Sequence, residues 1–270
     1  MALTKRAFVQ TLLATALAST LLLTGCGADK EDKAIKVGVT AGPHAAIVNA
    51  AAEVAKKRGL DVKVVEFTDY LSPDKALADG SLDANVYQHV PFLENFNHQQ
   101  GTKLVKVSDA VVQPMGFYSN QIHDLAAVPD GATFAIPNDP SNAGRALLLL
   151  QASGLLTLKP GLDSKATVAD IVENPKHLKI LELEAAQLPR SLDDATVAVI
   201  PMNYVLSAGL KPKQGFYFES LKAPYALIVI ASRDNNAQSA NVKAFVEAYR
   251  SDEVKAFIEK TFDGAVRPTW

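Results

Sequence analysis

The chain is poor in the residues and motifs that most often carry chemistry. It has one cysteine, Cys26, among 270 residues, so no disulfide can form within it. It lacks the G-x-S-x-G, G-x-x-x-x-G-K-[ST], G-x-G-x-x-G and H-E-x-x-H patterns of common enzymes and nucleotide-binding proteins. Its five histidines are scattered, with no His-rich tract and no pair at i, i+4. We therefore predict a protein without catalytic activity, metal site or cofactor.

A strong charge of one sign is also missing. The formal net charge is −2, and no dense stripe of lysine and arginine could follow a phosphate backbone. This composition argues against nucleic acid as a partner. We expect a monomer.

The only long apolar run precedes Cys26. Lys5 and Arg6 come first, residues 7–23 are mostly apolar, and Leu-Thr-Gly-Cys follows at 23–26. A charged segment, an apolar segment and small residues at a cleavage point are typical of a secretory signal peptide.

The four residues 23–26 resemble a lipobox, in which the cysteine thiol is acylated. The alternative is a transmembrane helix, for which this run is short against the roughly 20 apolar residues of a span. We predict a lipoprotein signal peptide at 1–25 and a polar, lipidated tether at 26–34. The protein is then anchored by lipid to a membrane of the cell envelope, facing the periplasm or the exterior. The sequence does not choose between inner and outer membrane.

From residue 35 onward, short apolar strands alternate with amphipathic helices. This order predicts an α/β fold with largely parallel sheets and helices on both faces. The predicted strands are 36–39, 62–67, 82–87, 104–112, 133–136, 179–183, 196–200 and 226–231. The predicted helices are 45–58, 73–79, 91–99, 142–152, 240–250 and 252–261. The run of four leucines at 147–150 predicts that its helix is well buried.

Three predicted strands end in polar loops that contain glycine or proline, at 40–44, 137–142 and 201–204. Open α/β sheets bind ligands beyond the carboxyl ends of their strands. These loops are therefore candidates for a binding site, although periodicity does not show that they meet.

Several long stretches resemble the methionine-binding lipoproteins of bacterial ABC importers, the NlpA lipoprotein family. The similar stretches read VGVTAGPHAAI at 37–47, FTDY at 67–70, DANVYQHVPFL at 83–93, PNDPSNAGRALLLL at 137–150 and VENPKHLKILELEAAQLPRSLDD at 172–194. The resemblance implies a two-lobed periplasmic-binding-protein fold with a ligand cleft between the lobes. It also implies a methionine-like amino acid as ligand and an ABC permease with ATPase subunits as partner. We predict lobe 1 at 35–112 plus 230–270 and lobe 2 at 113–229.

The resemblance also implies the residues that hold the ligand. Arg145 would bind the α-carboxylate with help from Asn142, because both lie at the start of a helix, where free N–H groups favour an anion. Asn203 would accept from the α-ammonium. An aromatic slot for the thioether would contain Phe67, Tyr70, Tyr87 and His89.

Each of these residues has a plainer interpretation. Arg145 could be an ordinary helix-surface arginine, and Asn203 could cap a helix after Pro201. The aromatic residues could be core. His89 could be a neutral, hydrogen-bonded group that supports the site without touching the ligand.

One position departs from the family pattern. Where the family usually has asparagine in a Pro-Tyr-x-Asn segment, this chain has Leu227. A lost hydrogen bond to a buried ligand group costs about 1–3 kcal/mol. The departure leaves open a changed ligand, or an envelope role outside transport. From the sequence we expect Leu227→Asn to tighten methionine binding, and Arg145→Ala to abolish binding while the fold stays stable.

Overall fold

A computed structural model describes residues 34–270, so the predicted signal peptide and Cys26 lie outside the described residues. The strands are β1 Ala34–Thr40, β2 Asp61–Phe67, β3 Ala84–His89, β4 Leu104–Val112, β5 Met115–Tyr118, β6 Thr133–Pro137, β7 Thr157–Leu158, β8 Ile171–Glu173, β9 Lys179–Leu183, β10 Val197–Pro201, β11 Tyr217–Phe218, β12 Leu227–Arg233 and β13 Arg267–Pro268. The helices are α1 Pro43–Lys57, α2 Ser72–Ala78, α3 Val90–Gln100, α4 Pro140–Ala152, α5 Met202–Ser207, α6 Ala240–Tyr249 and α7 Asp252–Phe262. All predicted strands and helices are present, most within two residues of their predicted ends.

Local chemistry sets several helix ends. Asp139 caps α4 by accepting from the Asn142 backbone N–H at 3.0 Å, and Pro140 occupies the first turn. Ser239 and Ser251 cap α6 and α7 in the same way. Gly101 ends α3 in the left-handed conformation, which glycine adopts without strain. The helices within residues 34–270 are too short or too polar to cross a bilayer.

The first sheet has the strand order β13-β4-β12-β3-β1-β2. Strands β2, β1 and β3 are parallel, whereas β12 is antiparallel to both β3 and β4, and β13 is antiparallel to β4. The second sheet has the order β11-β5-β10-β6-β9, with β10, β6 and β9 parallel and β5 and β11 antiparallel to their neighbours. The prediction of largely parallel sheets is therefore wrong: both sheets are mixed. Strands β4, β5, β11 and β12, which form antiparallel pairs, flank the two places where the chain passes between the sheets, whereas β13 follows α7.

Each sheet has its own core. In the first, α1, α6 and α7 cover β1, β3 and β4 through residues such as Ile47, Phe245 and Ile258. In the second, α4 packs on Phe117 and Phe134. Leu147, Leu149 and Leu150 of α4 are buried and Leu148 is partly so, as the leucine run predicts.

The chain changes sheets twice, at Gln113–Pro114 and between Phe218 and Leu227. These two crossing segments lie side by side. The Gln113 backbone N–H donates to Ala226 at 2.8 Å, and the Glu219 N–H donates to Met115 at 2.9 Å. Residues 34–270 pack as one compact unit, and the division into lobes at 113 and 230 stays a prediction.

Candidate ligand-binding site

A small cavity lies between the two sheets, next to the crossing segments. The first sheet and its helices contribute Tyr70, Tyr87, Gln88, His89, Phe92 and Ile228. The first crossing segment, the second sheet and its helices α4 and α5 contribute Gln113, Asn142, Arg145, Pro201, Met202 and Asn203. Two of the three predicted strand-end loops, 137–142 and 201–204, therefore reach the cavity. The loop at 40–44 contributes no lining residue.

Arg145 is 4% exposed, so it is not a helix-surface arginine. Its Nε donates to Glu219 Oε1 at 2.9 Å and its Nη2 to Glu219 Oε2 at 2.6 Å. Nη2 also lies 3.1 Å from the carbonyl oxygen of Gln113. Nη1 has only a 3.4 Å contact with Asn142 Oδ1. Nη1 is therefore the guanidinium nitrogen with most capacity left for a ligand.

Asn142 connects the first turn of α4 to His89, on the opposite side of the cavity. Its Nδ2 donates to both carboxylate oxygens of Asp139, at 3.0 and 3.1 Å. Burial raises the pKa of Asp139, and the bonds from Asn142 oppose that shift. Asn142 Oδ1 lies 3.0 Å from His89 Nε2.

His89 is a neutral imidazole of defined tautomer. Its Nδ1 accepts from the Phe92 backbone N–H at 3.2 Å, which caps α3, so Nε2 carries the hydrogen and donates to Asn142 Oδ1. Burial, together with a smaller effect of the nearby Arg145 charge, lowers the pKa of His89 to about 3. The ring lines the cavity. It is also a neutral, hydrogen-bonded group that supports the site, which is the plainer of the two interpretations made from the sequence.

Three aromatic rings form one wall of the cavity. The ring centroids of Tyr70, Tyr87 and Phe92 are 5.9–6.0 Å apart. The Tyr70 hydroxyl donates to Asn203 Oδ1 at 2.7 Å, and the Tyr87 hydroxyl donates to the Tyr70 carbonyl at 2.7 Å. Phe67 is not among the lining residues. It ends β2 and packs on a separate cluster that includes Leu77 and Leu82.

The cavity walls carry buried amide atoms without a hydrogen-bond partner. They are Gln88 Oε1, both side-chain polar atoms of Gln113, and Asn203 Nδ2. Such atoms are rare in a protein interior, because leaving a buried polar group unpaired costs about 1–3 kcal/mol. The four that line this cavity are available to pair with a polar ligand.

A buried carboxylate fixes one of these amides. Asp74 Oδ1 accepts from Gln88 Nε2 at 2.6 Å and from Asn85 Nδ2 at 2.7 Å. Gln88 Nε2 also donates to Asn85 Oδ1 at 3.0 Å, so both of its hydrogens are used. Burial raises the pKa of Asp74 to about 6. Within residues 34–270, no group of three or more acidic, histidine or cysteine side chains is arranged to hold a metal ion.

Sequence reasoning missed Glu219, Gln113, Gln88, Phe92 and Met202. Gln113 directly follows the predicted end of β4, so the strand-end rule could have identified it. Met202 lies inside the candidate loop 201–204, and Gln88 and Phe92 lie inside the similar stretch at 83–93. Glu219 has no comparable signal, because its partner Arg145 is 74 residues away.

The chain is similar to known proteins over nearly its whole length. It is 47% identical over 258 residues to the probable D-methionine-binding lipoprotein MetQ of Vibrio cholerae, covering 94% of this chain and 96% of that protein. It is also 47% identical over 255 residues to Lipoprotein 28 of Escherichia coli, covering 93% of each.

Solved structures share the fold. A nutrient binding protein from Burkholderia cenocepacia, bound to methionine, superposes with a TM-score of 0.85 at 48% identity, covering 87% of this chain and 100% of that one. An ABC transporter periplasmic substrate-binding protein from Coxiella burnetii superposes with a TM-score of 0.83 at 42% identity, over 87% of this chain and 100% of that one. The two-lobed α/β fold predicted from the sequence is that of periplasmic substrate-binding proteins. Residues 35–270 match the family model described as NlpA lipoprotein, and the chain belongs to that family.

Proposed function

We propose that this protein binds methionine, or a close analogue, between its two lobes and delivers it to an ABC permease. The observation that carries the proposal is the composition of the cavity. One wall is aromatic, and the others present a buried guanidinium and unpaired amide atoms. An α-amino acid with an apolar side chain matches this composition: its side chain suits the aromatic wall, and its charged groups suit the guanidinium and the amide atoms.

The carboxylate would bind Arg145 and Asn203. Arg145 Nη1 is the least engaged nitrogen of a guanidinium that Glu219 already orients. Asn203 Oδ1 is taken by Tyr70, so the atom left unpaired is Nδ2, which is a donor. We therefore assign Asn203 to the carboxylate instead of the ammonium expected from the sequence. Asn142 would act by holding His89 and the first turn of α4 in place.

The side chain would lie against Tyr70, Tyr87 and Phe92. A thioether gains about 0.3–1.5 kcal/mol from each sulfur–aromatic contact. The ring of His89, neutral at physiological pH, suits this apolar surface better than an imidazolium would. Phe67 would not contact the ligand, because it packs on the cluster that includes Leu77 and Leu82.

The relatives extend the proposal beyond the site. Relatives named as lipoproteins support acylation of Cys26 and an anchored location in the cell envelope. The Coxiella burnetii protein supports an ABC transporter with permease and ATPase subunits as partner. We propose a monomer that carries its ligand without chemical conversion, because no residue around the cavity forms a nucleophile–base pair.

A second candidate is an envelope lipoprotein without a role in methionine transport. Lipoprotein 28 is as similar to this chain as the methionine-binding relative is, and Leu227 departs from the family pattern. On this hypothesis the fold is kept and amino-acid affinity is weak or absent.

Calorimetric titration of the full chain in detergent distinguishes the two. The protein is unfolded and refolded first to remove any copurified ligand, then titrated with L-methionine, D-methionine and L-leucine. Under the first proposal, one methionine enantiomer binds with a Kd of about 1 μM or tighter, near −8 kcal/mol. A folded protein that binds none of them favours the second.

A further inference from the structure

The structure suggests how the site tolerates leucine at position 227. Leu227 is half-buried, begins β12 and pairs with Val112 of β4. The residue after Val112 is Gln113, whose backbone N–H donates to Ala226 at 2.8 Å. Gln113 thus follows the residue that pairs with Leu227, and it lies in the neighbouring crossing segment.

Gln113 is held firmly by its backbone, and its side chain is left unpaired. The N–H donates to Ala226, and the carbonyl oxygen accepts from Arg145 Nη2 at 3.1 Å. The side chain lines the cavity and the residue is 3% exposed, yet neither Oε1 nor Nε2 has a partner. A glutamine in this setting costs stability unless a ligand pairs with it.

The charges around the cavity favour a role for the Gln113 side-chain amide in binding the ligand's ammonium. Arg145 and Asn203 supply donors for an anion, so the ammonium of the same ligand needs acceptors nearby. Gln113 lies beside Arg145, and its Oε1 is a buried acceptor. A zwitterionic amino acid would also give Nε2 a carboxylate to bind.

We propose that Gln113 is a specificity-determining residue that accepts from the ligand's α-ammonium and replaces the amide missing at position 227. This inference rests on the proposed function, since it concerns the same cavity. It predicts preference for ligands that carry a free α-ammonium over the same molecules without it. It also implies that an amide added at position 227 is redundant while Gln113 is present.

The test compares the wild type with Gln113→Leu, which has a similar volume and no polar atoms. Both are titrated with L-methionine and with 4-(methylthio)butanoate, which lacks the ammonium. Gln113→Leu should weaken L-methionine binding about 10- to 100-fold, and weaken binding of the deaminated acid at least threefold less. Leu227→Asn in the wild-type background should change L-methionine affinity less than threefold, reversing the expectation from sequence alone.

Thermal unfolding of the ligand-free proteins is the control for folding, and Gln113→Ala is the second variant if the leucine distorts the site. Equal loss for both ligands, or no loss, would overturn the assignment to the ammonium. A tenfold gain with Leu227→Asn would overturn the replacement. Failure of the wild type to bind any amino acid would instead refute the proposed function, and this inference with it.

Discussion

Arg145 and Glu219 form a buried ion pair that joins helix α4 to the second crossing segment, with 2.6 Å between Nη2 and Oε2. The side chains are 4% and 7% exposed. Glu219 Oε2 also accepts from the Met115 backbone N–H at 3.2 Å. The pair therefore fixes the guanidinium at the cavity and ties the two crossing segments together.

This pair changes the expected outcome of Arg145→Ala. Binding of L-methionine should be lost, but the fold should also be destabilised by about 3–5 kcal/mol, because Glu219 is left buried and unpaired. The double variant Arg145→Met, Glu219→Gln should recover most of that stability without recovering binding. Urea unfolding and calorimetry on the same samples check both expectations. A stable Arg145→Ala protein would show that water reaches Glu219.

Asn203→Asp separates the two possible roles of Asn203. If Nδ2 donates to the ligand carboxylate, an aspartate places two negative charges together, and affinity for L-methionine should fall at least 100-fold. If Asn203 served the ammonium, the same change would tighten binding. Asn203→Leu is the matched control, since it removes the hydrogen bond without adding charge. Calorimetry at pH 7.5 gives the comparison.

His89→Asn should make the protein less sensitive to acid. The folded pKa of His89 is about 3 against 6.5 when unfolded, so the unfolded chain binds one more proton between these values. Wild-type stability should thus fall by about 2 kcal/mol between pH 7 and pH 5 on account of this residue. Asparagine can still cap α3 but does not titrate there.

The measurement for His89→Asn is urea unfolding at both pH values. His44 is also buried with its pKa lowered to about 3, but it contributes equally to both proteins and cancels in the comparison. The stability difference between wild type and variant should shrink as the pH falls. A constant difference would mean that His89 becomes protonated without unfolding.

Asp74→Asn should stabilise the protein more at pH 8 than at pH 5. Burial raises the folded pKa of Asp74 to about 6 from 3.8, so its contribution to stability is present at low pH and lost as the pH rises through 6. Between pH 5 and pH 8, the free energy of unfolding of the variant should rise by about 1.5 kcal/mol relative to that of the wild type. Asp61→Asn, at an exposed position, is the control for the removal of one negative charge. Urea unfolding at several pH values decides the matter.

Much of the fold was predictable because its signals are local. The alternation of strands and helices, Pro140 at the start of α4 and Gly101 after α3 all act over a few residues. Strand direction was not predictable in this way. β12 returns from the second sheet and inserts between β3 and β4, and periodicity carries no information about which neighbours a strand will have.

The candidate site was predictable where residues belong to stretches similar to the family, as with Tyr87 and Arg145. It was not predictable where contacts join distant parts of the chain. The pairing of Arg145 with Glu219 and the bond from Tyr70 to Asn203 span 74 and 133 residues. The bond from Tyr70 occupies Asn203 Oδ1 and leaves Nδ2 available. For this reason the role proposed for Asn203 changed from binding the ammonium to binding the carboxylate.

The side-by-side crossing segments have a mechanical consequence. Two adjacent segments joined by backbone hydrogen bonds resist sliding but can twist, so we expect relative motion of the lobes to be a rotation about an axis close to both segments. Under such a rotation, displacement grows with distance from the axis. Gln113 lies in a crossing segment and would barely move. His89 and Asn142, on opposite lobes, would move apart as the lobes open and come together as they close. The ligand's head group would then bind first at Gln113, which hardly moves. The hydrogen bond between His89 and Asn142 would form only when the lobes have closed.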